Sequence, residues 1–202
     1  MRRIPRIQGP ENWRRRSPHG TLVVADRQTA GKGRRGKSWV SPAGTGIWMS
    51  MVLQAAHVSY ERIHADSYRR TGSGQGVKES TGLEAMIKWP NDAVLNGKKI
   101  CGILTEMSTE VECIRYVIPG IGINVNMDGF PEEIKATATS LKLEAGRSIK
   151  RSLVIAAVAD NFEYYYGIFM KTCDMSGLRD DYNKSTCQSG QGGSGTGPQR
   201  PI

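Results

Sequence analysis

Two stretches of this chain concentrate residue types that can handle anions. The first runs from Gln28 to Pro42 and contains Gly31-Lys-Gly-Arg-Arg-Gly36, then Lys37, Trp39 and Ser41. Glycines let a backbone turn tightly and bring its N–H groups against a bound anion. The interleaved Lys32, Arg34, Arg35 and Lys37 supply cations for phosphate or carboxylate oxygens. The G-x-x-x-x-G-K-[ST] spacing of a P-loop is absent. On chemistry alone, a phosphate or nucleic-acid contact and a plain solvated loop stay equally open. The second stretch holds Lys88-Trp-Pro-Asn-Asp92 and Lys98-Lys-Ile-Cys-Gly-Ile-Leu-Thr-Glu106. A lysine following Met86 and Ile87 would be held by a sheet where charge develops. The competing reading is that Lys88 only ends a strand and reaches out to water.

The elements that must position these residues are legible in part. Thr21 to Ala25 is a short β-branched run and predicts a buried strand, and Ile47 to Leu53 predicts the next. Gln28 to Gly46 between them is a loop. Met86 to Trp89 reads as a strand, followed by a hairpin. Ala93 to Leu95 turns through Asn96-Gly97, which tolerates positive φ at both turn centres, into Lys99 to Glu106. Cys113 to Ile118 and its glycine-punctuated continuation, Gly120 to Asn126, form a further strand. Phe130 to Ile134 is one helical turn. Ser148 to about Lys171 is the best helix, with Leu153, Val154, Ala157, Val158, Phe162, Tyr165, Tyr166 and Phe169 on one face and Ser148 as N-cap. Residues 64–76 are rich in Arg, Ser and Gly, and read as a polar insert with almost nothing to bury.

The chain has 202 residues, enough for one domain with a real core. No apolar run approaches the roughly 18 to 20 residues that span a bilayer, and no apolar segment follows the basic start, so a soluble, cytoplasmic protein is expected. Four dispersed cysteines and three histidines argue against a zinc site or a disulfide framework, and no metal ligands are assigned. The net charge of +9 is local: residues 1–37 carry 11 Lys or Arg against Glu11 and Asp26, and the rest sums to zero. That arm lacks the interleaved aromatics of a single-strand nucleic-acid binder.

Taken together, Gly31 to Gly36 with Trp39 and Ser41-Pro42, then Lys88 to Asp92, Gly102-Ile-Leu and Gly120-Ile-Gly-Ile-Asn124, strongly resemble the catalytic domain of biotin protein ligases. The resemblance covers about residues 19–54 and 77–183. It implies an α+β fold, a mixed β-sheet packed with helices, of the biotin/lipoate ligase type related to class II aminoacyl-tRNA synthetases, with the family's C-terminal small barrel absent. With composition, it gives an atypical basic arm over residues 1–18, a catalytic domain over 19–184 and, from its Gly, Ser, Gln and Pro content, a disordered tail over 185–202.

The same resemblance assigns roles. Lys88 and Arg34 become catalytic. Gln28, Gly31, Lys32, Gly33, Arg34, Lys88 and Gly102 line biotin. Arg34, Arg35, Trp39, Lys88 and Asn124 meet the nucleotide. The implied reaction activates biotin with ATP, normally with Mg²⁺, to biotinyl-5′-AMP and transfers it to a lysine of a biotin carboxyl carrier protein. A homodimer is an allowed assembly; a membrane or nucleic-acid partner is not implied. The chain departs from the family in four places. Residues 1–18 lack a Ser-Thr-Asn type motif, and 64–76 stand where a long helix belongs. The end is a Gly-rich tail, and position 32 is Lys where Arg is common. The first three of these patches read as out-of-frame stretches. The alternatives are a lipoate or octanoate ligase sibling, a non-catalytic basic nucleic-acid binder, and an inactive ligase remnant.

Overall fold

The computed structural model describes residues 17–33, 36, 39–54, 67–88, 90–110, 113–172 and 176–187. The expected Arg34 and Arg35 lie outside the described residues, as do most of the basic arm and of the tail.

Among the described residues, six strands form one antiparallel sheet: β1 (Thr21–Ala25), β2 (Gly46–Gln54), β3 (Met86–Lys88), β4 (Asp92–Leu95), β5 (Lys98–Glu110) and β6 (Cys113–Asn124). Their spatial order is β1-β2-β6-β5-β4-β3. Neighbouring named strands all run antiparallel. The helices are α1 (Ser67–Thr81), α2 (Glu132–Lys135), α3 (Leu141–Ala145), α4 (Arg151–Thr172) and α5 (Arg179–Ser185). The α+β class is as expected. The Asn96-Gly97 turn adopts φ of 49° and 77°, the positive values its sequence promised.

Side chains alternate between the faces of a strand. On one face Ile47, Met49, Met51 and Leu53 of β2 join Ala93, Cys101, Ile103, Ile121 and Ile123. Val77 of α1 and Val154, Val158, Phe162, Tyr165 and Phe169 of α4 complete the same buried cluster. The α4 spacing of four, four, three and four residues keeps these groups on one stripe. Leu153 was expected on that stripe but is 54% exposed. The helix also begins later than Ser148, because Ile149 N–H is committed to Asn126 Oδ1 at 2.9 Å. Short α3, not anticipated, is capped by Ser140, whose Oγ accepts from Leu143 N–H, and by Gly146 at φ 65°.

The segment read as an insert is corrected by α1. Its glycines cost helix stability, about 1 kcal/mol each against alanine. Packing offsets that cost. A Cβ on Gly72 would stand 3.1 Å from Phe162 N and Cα, and one on Gly76 would stand 2.6 Å from Val158 N and Cα. These two positions, four apart on one helix face, let the α1 and α4 backbones touch. Ser73 and Val77 beside them are 1% exposed. The helix is present; what it buries is backbone instead of large side chains. Gly82 at φ 79° then ends it, with its N–H on Lys78 O at 2.8 Å.

The tail boundary also moves. Cys187 N–H donates to Ile87 O at 2.9 Å, and Thr186 pairs with Ile87 in a parallel bridge. Residues 185–187 therefore belong to the fold and cover the outer edge of β3. At the other end Ser17 O accepts from Gln54 Nε2 at 2.9 Å. Among the described residues, no helix is long and apolar enough to cross a membrane.

Candidate active site

The sheet face opposite the cluster packed by α1 and α4 carries one cross-strand row. Directly opposed positions run Ala25, Trp48, Gly122, Gly102, Asp92 and Lys88, one from each of the six strands. Opposed residues share a face, so the row is a strip of surface with two glycines at its centre. Trp39 lies on them. Its six-membered ring carbons come to 3.1 Å from where a Gly102 Cβ would stand, and its Nε1 to 3.3 Å from a Gly122 Cβ. Trp48 meets it edge-on, with ring centroids 6.3 Å apart. The result is an aromatic roof over a glycine floor, a shape that accepts a flat ligand once the roof moves.

The loop that carries Trp39 is drawn into a neck. Trp39 N–H donates to Gly31 O at 2.9 Å, and Ser41 Oγ donates to Gln28 Oε1 at 2.7 Å. Only glycine fits at position 31: a Cβ would lie 2.3 Å from Trp39 O. The stems of the loop are tied by Asp26. Its Oδ1 accepts from Gly44 N–H at 3.1 Å and from Arg151 Nη1 at 2.8 Å, and the same Nη1 reaches Gly46 O at 3.0 Å.

The cation that the fold brings to the floor is Lys99. The β4–β5 register slips between Ala93, which opposes Cys101, and Val94, which opposes Lys99. Ile100 is the extra residue, and such a bulge re-aims the side chain beside it. Simple alternation would place Ile100 on the face of Gly102; the bulge places Lys99 there. Its backbone is fixed by Thr137 O and Thr139 N–H, at 2.8 and 2.9 Å. Lys99 Nζ stands 2.6 Å from Asp92 Oδ1 and 5.0 Å from the centroid of Trp39. Both members of this ion pair are less than a third exposed. Cys101, next in sequence but on the core face, is no nucleophile: burial chiefly, opposed by Lys99 and reinforced by Asp92, pushes its thiol up to about 12.

Of the residues expected from sequence, Trp39 and Gly102 meet directly, and Gln28 and Gly31 form the neck of the loop. Lys32 and Gly33 follow in the same loop, Lys32 exposed. Lys88 sits at the outer end of the row, exposed, across from Asp92. Asn124 is 5% exposed, and its Nδ2 donates to Thr139 O at 3.1 Å. Sequence reasoning missed Lys99, Asp92, Trp48 and Gly122 as members of one site. Each lies inside or beside a motif it had singled out, but only the register aligns them.

Two donors in the site find no acceptor among the described residues: Trp39 Nε1 and Trp48 Nε1, both sealed from solvent. A buried unpaired donor costs about 1–3 kcal/mol, so native folds rarely keep one without a use. Among the described residues no three His, Cys, Asp or Glu side chains converge to hold a metal.

The family model for the biotin/lipoate A/B protein ligase family matches residues 6–124. The bifunctional ligase/repressor BirA of Bacillus subtilis is 46% identical over 156 residues, which are 76% of this chain and 48% of that protein. The biotin–[acetyl-CoA-carboxylase] ligase of Mycobacterium tuberculosis is 33% identical over 129 residues, 60% of this chain and 45% of that one. A biotin protein ligase from Aquifex aeolicus, solved in complex with biotin and ATP, superposes with a TM-score of 0.75 at 30% identity, over 87% of this chain and 73% of that structure. The chain spans about half the length of the curated relatives it matches. By sequence model and by structure alike, the chain belongs to the biotin/lipoate A/B protein ligase family.

Proposed function

We propose that this chain activates biotin with ATP to biotinyl-5′-AMP and passes the biotinyl group to a lysine of a biotin carboxyl carrier protein. The observation that carries the reading is the Trp39 roof over the Gly102–Gly122 floor, with the Lys99–Asp92 pair at one end. A carboxylate is a poor electrophile. Its oxygen therefore attacks the α-phosphorus, and pyrophosphate leaves with the displaced electron pair. Two anions must meet, and a fixed cation at that place lowers the barrier. Lys99 is the described cation best placed to do so. Lys88, at the outer end of the row, is the second candidate, and Arg34 remains a candidate from the family resemblance.

The anhydride so formed is attacked at its carbonyl by the carrier's neutral lysine amine, and AMP leaves. Water would compete at the same carbon. The stems of the loop, tied at Gln28–Ser41 and Gly31–Trp39, hold the Trp39 ring where it would exclude that water. Asp92 is the sole carboxylate in the row and is engaged by Lys99, so the row is not a magnesium cage. Any Mg²⁺ that accompanies the triphosphate would be held largely by phosphate oxygens, and no step is assigned to it.

The test is pyrophosphate release by the purified chain supplied with ATP, a carrier domain, and either biotin or lipoate. Release that depends on biotin, with label transferred to the carrier, is the expected result. Release with lipoate alone, or none with either acid, would overturn the reading.

A further inference from the structure

We infer that Thr139 is a positioning residue of the reaction, tied by the Glu144 carboxylate and holding the backbone of Lys99 so that its ammonium stays on the glycine floor. The inference rests on the functional reading above, in which Lys99 is the cation that meets the α-phosphate.

The β5–β6 ladder ends where Cys101 opposes Ile123, and β6 itself stops at Asn124. Lys99 lies two residues past that end of the ladder, so on the β6 side its N–H and C=O need another partner. Residues 137–139 supply it. Lys99 N–H donates to Thr137 O at 2.8 Å, and Thr139 N–H donates to Lys99 O at 2.9 Å. Ala138 stands in parallel register with Lys99. Both backbone groups of the bulge-aimed lysine are thereby committed to a three-residue segment outside every named strand.

Thr139 is where that segment is anchored. It is 3% exposed, and all three of its polar groups are engaged. Its N–H meets Lys99, its C=O accepts from Asn124 Nδ2 at 3.1 Å, and its hydroxyl donates to Glu144 Oε1 at 2.7 Å. Glu144 Oε2 accepts from Asn96 Nδ2 at 2.6 Å. Asn96 belongs to the turn that leads into β5, three residues before Lys99. One carboxylate therefore joins the turn on one side of Lys99 to the segment on the other. Glu144 is not needed to cap α3, because Ser140 Oγ already accepts from Leu143 N–H. A shift of about 1 Å at a reacting group can cost up to about 10²-fold in rate, so loosening this anchor should slow turnover and leave ligand affinity alone.

The experiment measures pyrophosphate release by the whole chain, with biotin and with ATP labelled in its γ-phosphate. Thr139→Val removes the hydroxyl and keeps the shape. It should lower kcat about tenfold with KM for biotin and ATP within about twofold. Thr139→Ser restores the hydroxyl and should recover most of the rate. Glu144→Ala removes the acceptor from the other side and should reproduce the loss even where Thr139→Val folds poorly. The deciding readout is coupling: added to Lys99→Met, neither change should slow the reaction further, because the group they position is gone. An equal tenfold loss in the Lys99→Met background, or normal kcat in both single variants, overturns the inference and leaves the functional reading standing. Wild-type rates in Lys99→Met remove the role of Lys99 and this inference with it. Wild-type chain that releases no pyrophosphate with biotin overturns the functional reading itself.

Discussion

Lys99 Nζ and Asp92 Oδ1 stand 2.6 Å apart because β5 carries one more residue than β4 at Ile100. The bulge turns a lysine that simple alternation would send to the core face onto the floor beside Gly102. Asp92 holds it there, and Trp39 lies within cation–π range of the same ammonium.

This relationship separates two lysines. Lys99→Met should lower biotin-dependent pyrophosphate release by about 10²- to 10³-fold, the usual effect of deleting a fixed charge that meets a developing anion. Lys88→Met, at the exposed end of the row, should cost less, about tenfold at most. Initial rates of pyrophosphate release on both variants decide it. Near-normal rates for Lys99→Met with collapse for Lys88→Met would return the catalytic role to Lys88.

The floor makes a second claim. A methyl group on Gly102 would stand 3.1 Å from the Trp39 ring, and one on Gly122 would stand 3.3 Å from it. Gly102→Ala should therefore displace the roof and narrow the space beneath any ligand. Titration should show biotin binding at least tenfold weaker, with a stability change under about 1.5 kcal/mol because the contact is a movable side chain. Wild-type affinity in Gly102→Ala would mean that the ligand does not use this floor.

Part of the candidate site was legible in the sequence, and what was not has identifiable causes. Trp39, Gly102 and the Asn96-Gly97 turn announce themselves through residue type. Lys99 does not: its orientation depends on a bulge, and a bulge is a property of two strands together. Helix α1 was illegible for another reason. Periodicity counts large apolar side chains, and α1 presents Gly72, Ser73, Gly76 and Val77 instead. The spacing of 72, 73, 76 and 77 was present all along as a stripe of small residues. Its meaning depends on α4 lying against it.

That stripe can be tested by two alanines in one helix. Gly76→Ala would push a methyl group to 2.6 Å from Val158 backbone and should destabilise by about 1–3 kcal/mol. Gly74→Ala meets only Ala85 O, at 3.5 Å, and gains helix propensity, so it should be neutral or stabilising by up to about 1 kcal/mol. Urea denaturation of both variants measures the difference. Equal destabilisation would show that residues 67–81 are not packed on α4 as a helix.

The Asp26 clamp predicts a response to acid. The hydrogen bond from Arg151 chiefly, opposed by desolvation and helped by the Gly44 N–H and the Arg151 charge, holds the Asp26 carboxyl below its ordinary value. A carboxylate depressed by folding stabilises the fold above its unfolded pKa, near 4, and loses that contribution as pH falls through the lower folded value. The carboxylate is 55% exposed, so solvent screening keeps the stability effect well under about 1 kcal/mol. Its larger consequence is local, because Asp26 joins the two stems of the loop that carries Trp39. Asp26→Asn keeps the shape but weakens the tie to Arg151. The loop should then shield the anhydride less well, and more AMP should be released per biotinyl group transferred at pH 7. Global melting should hardly move. The AMP-to-product ratio is the measurement, and a ratio equal to wild type would show that the loop closes without the clamp.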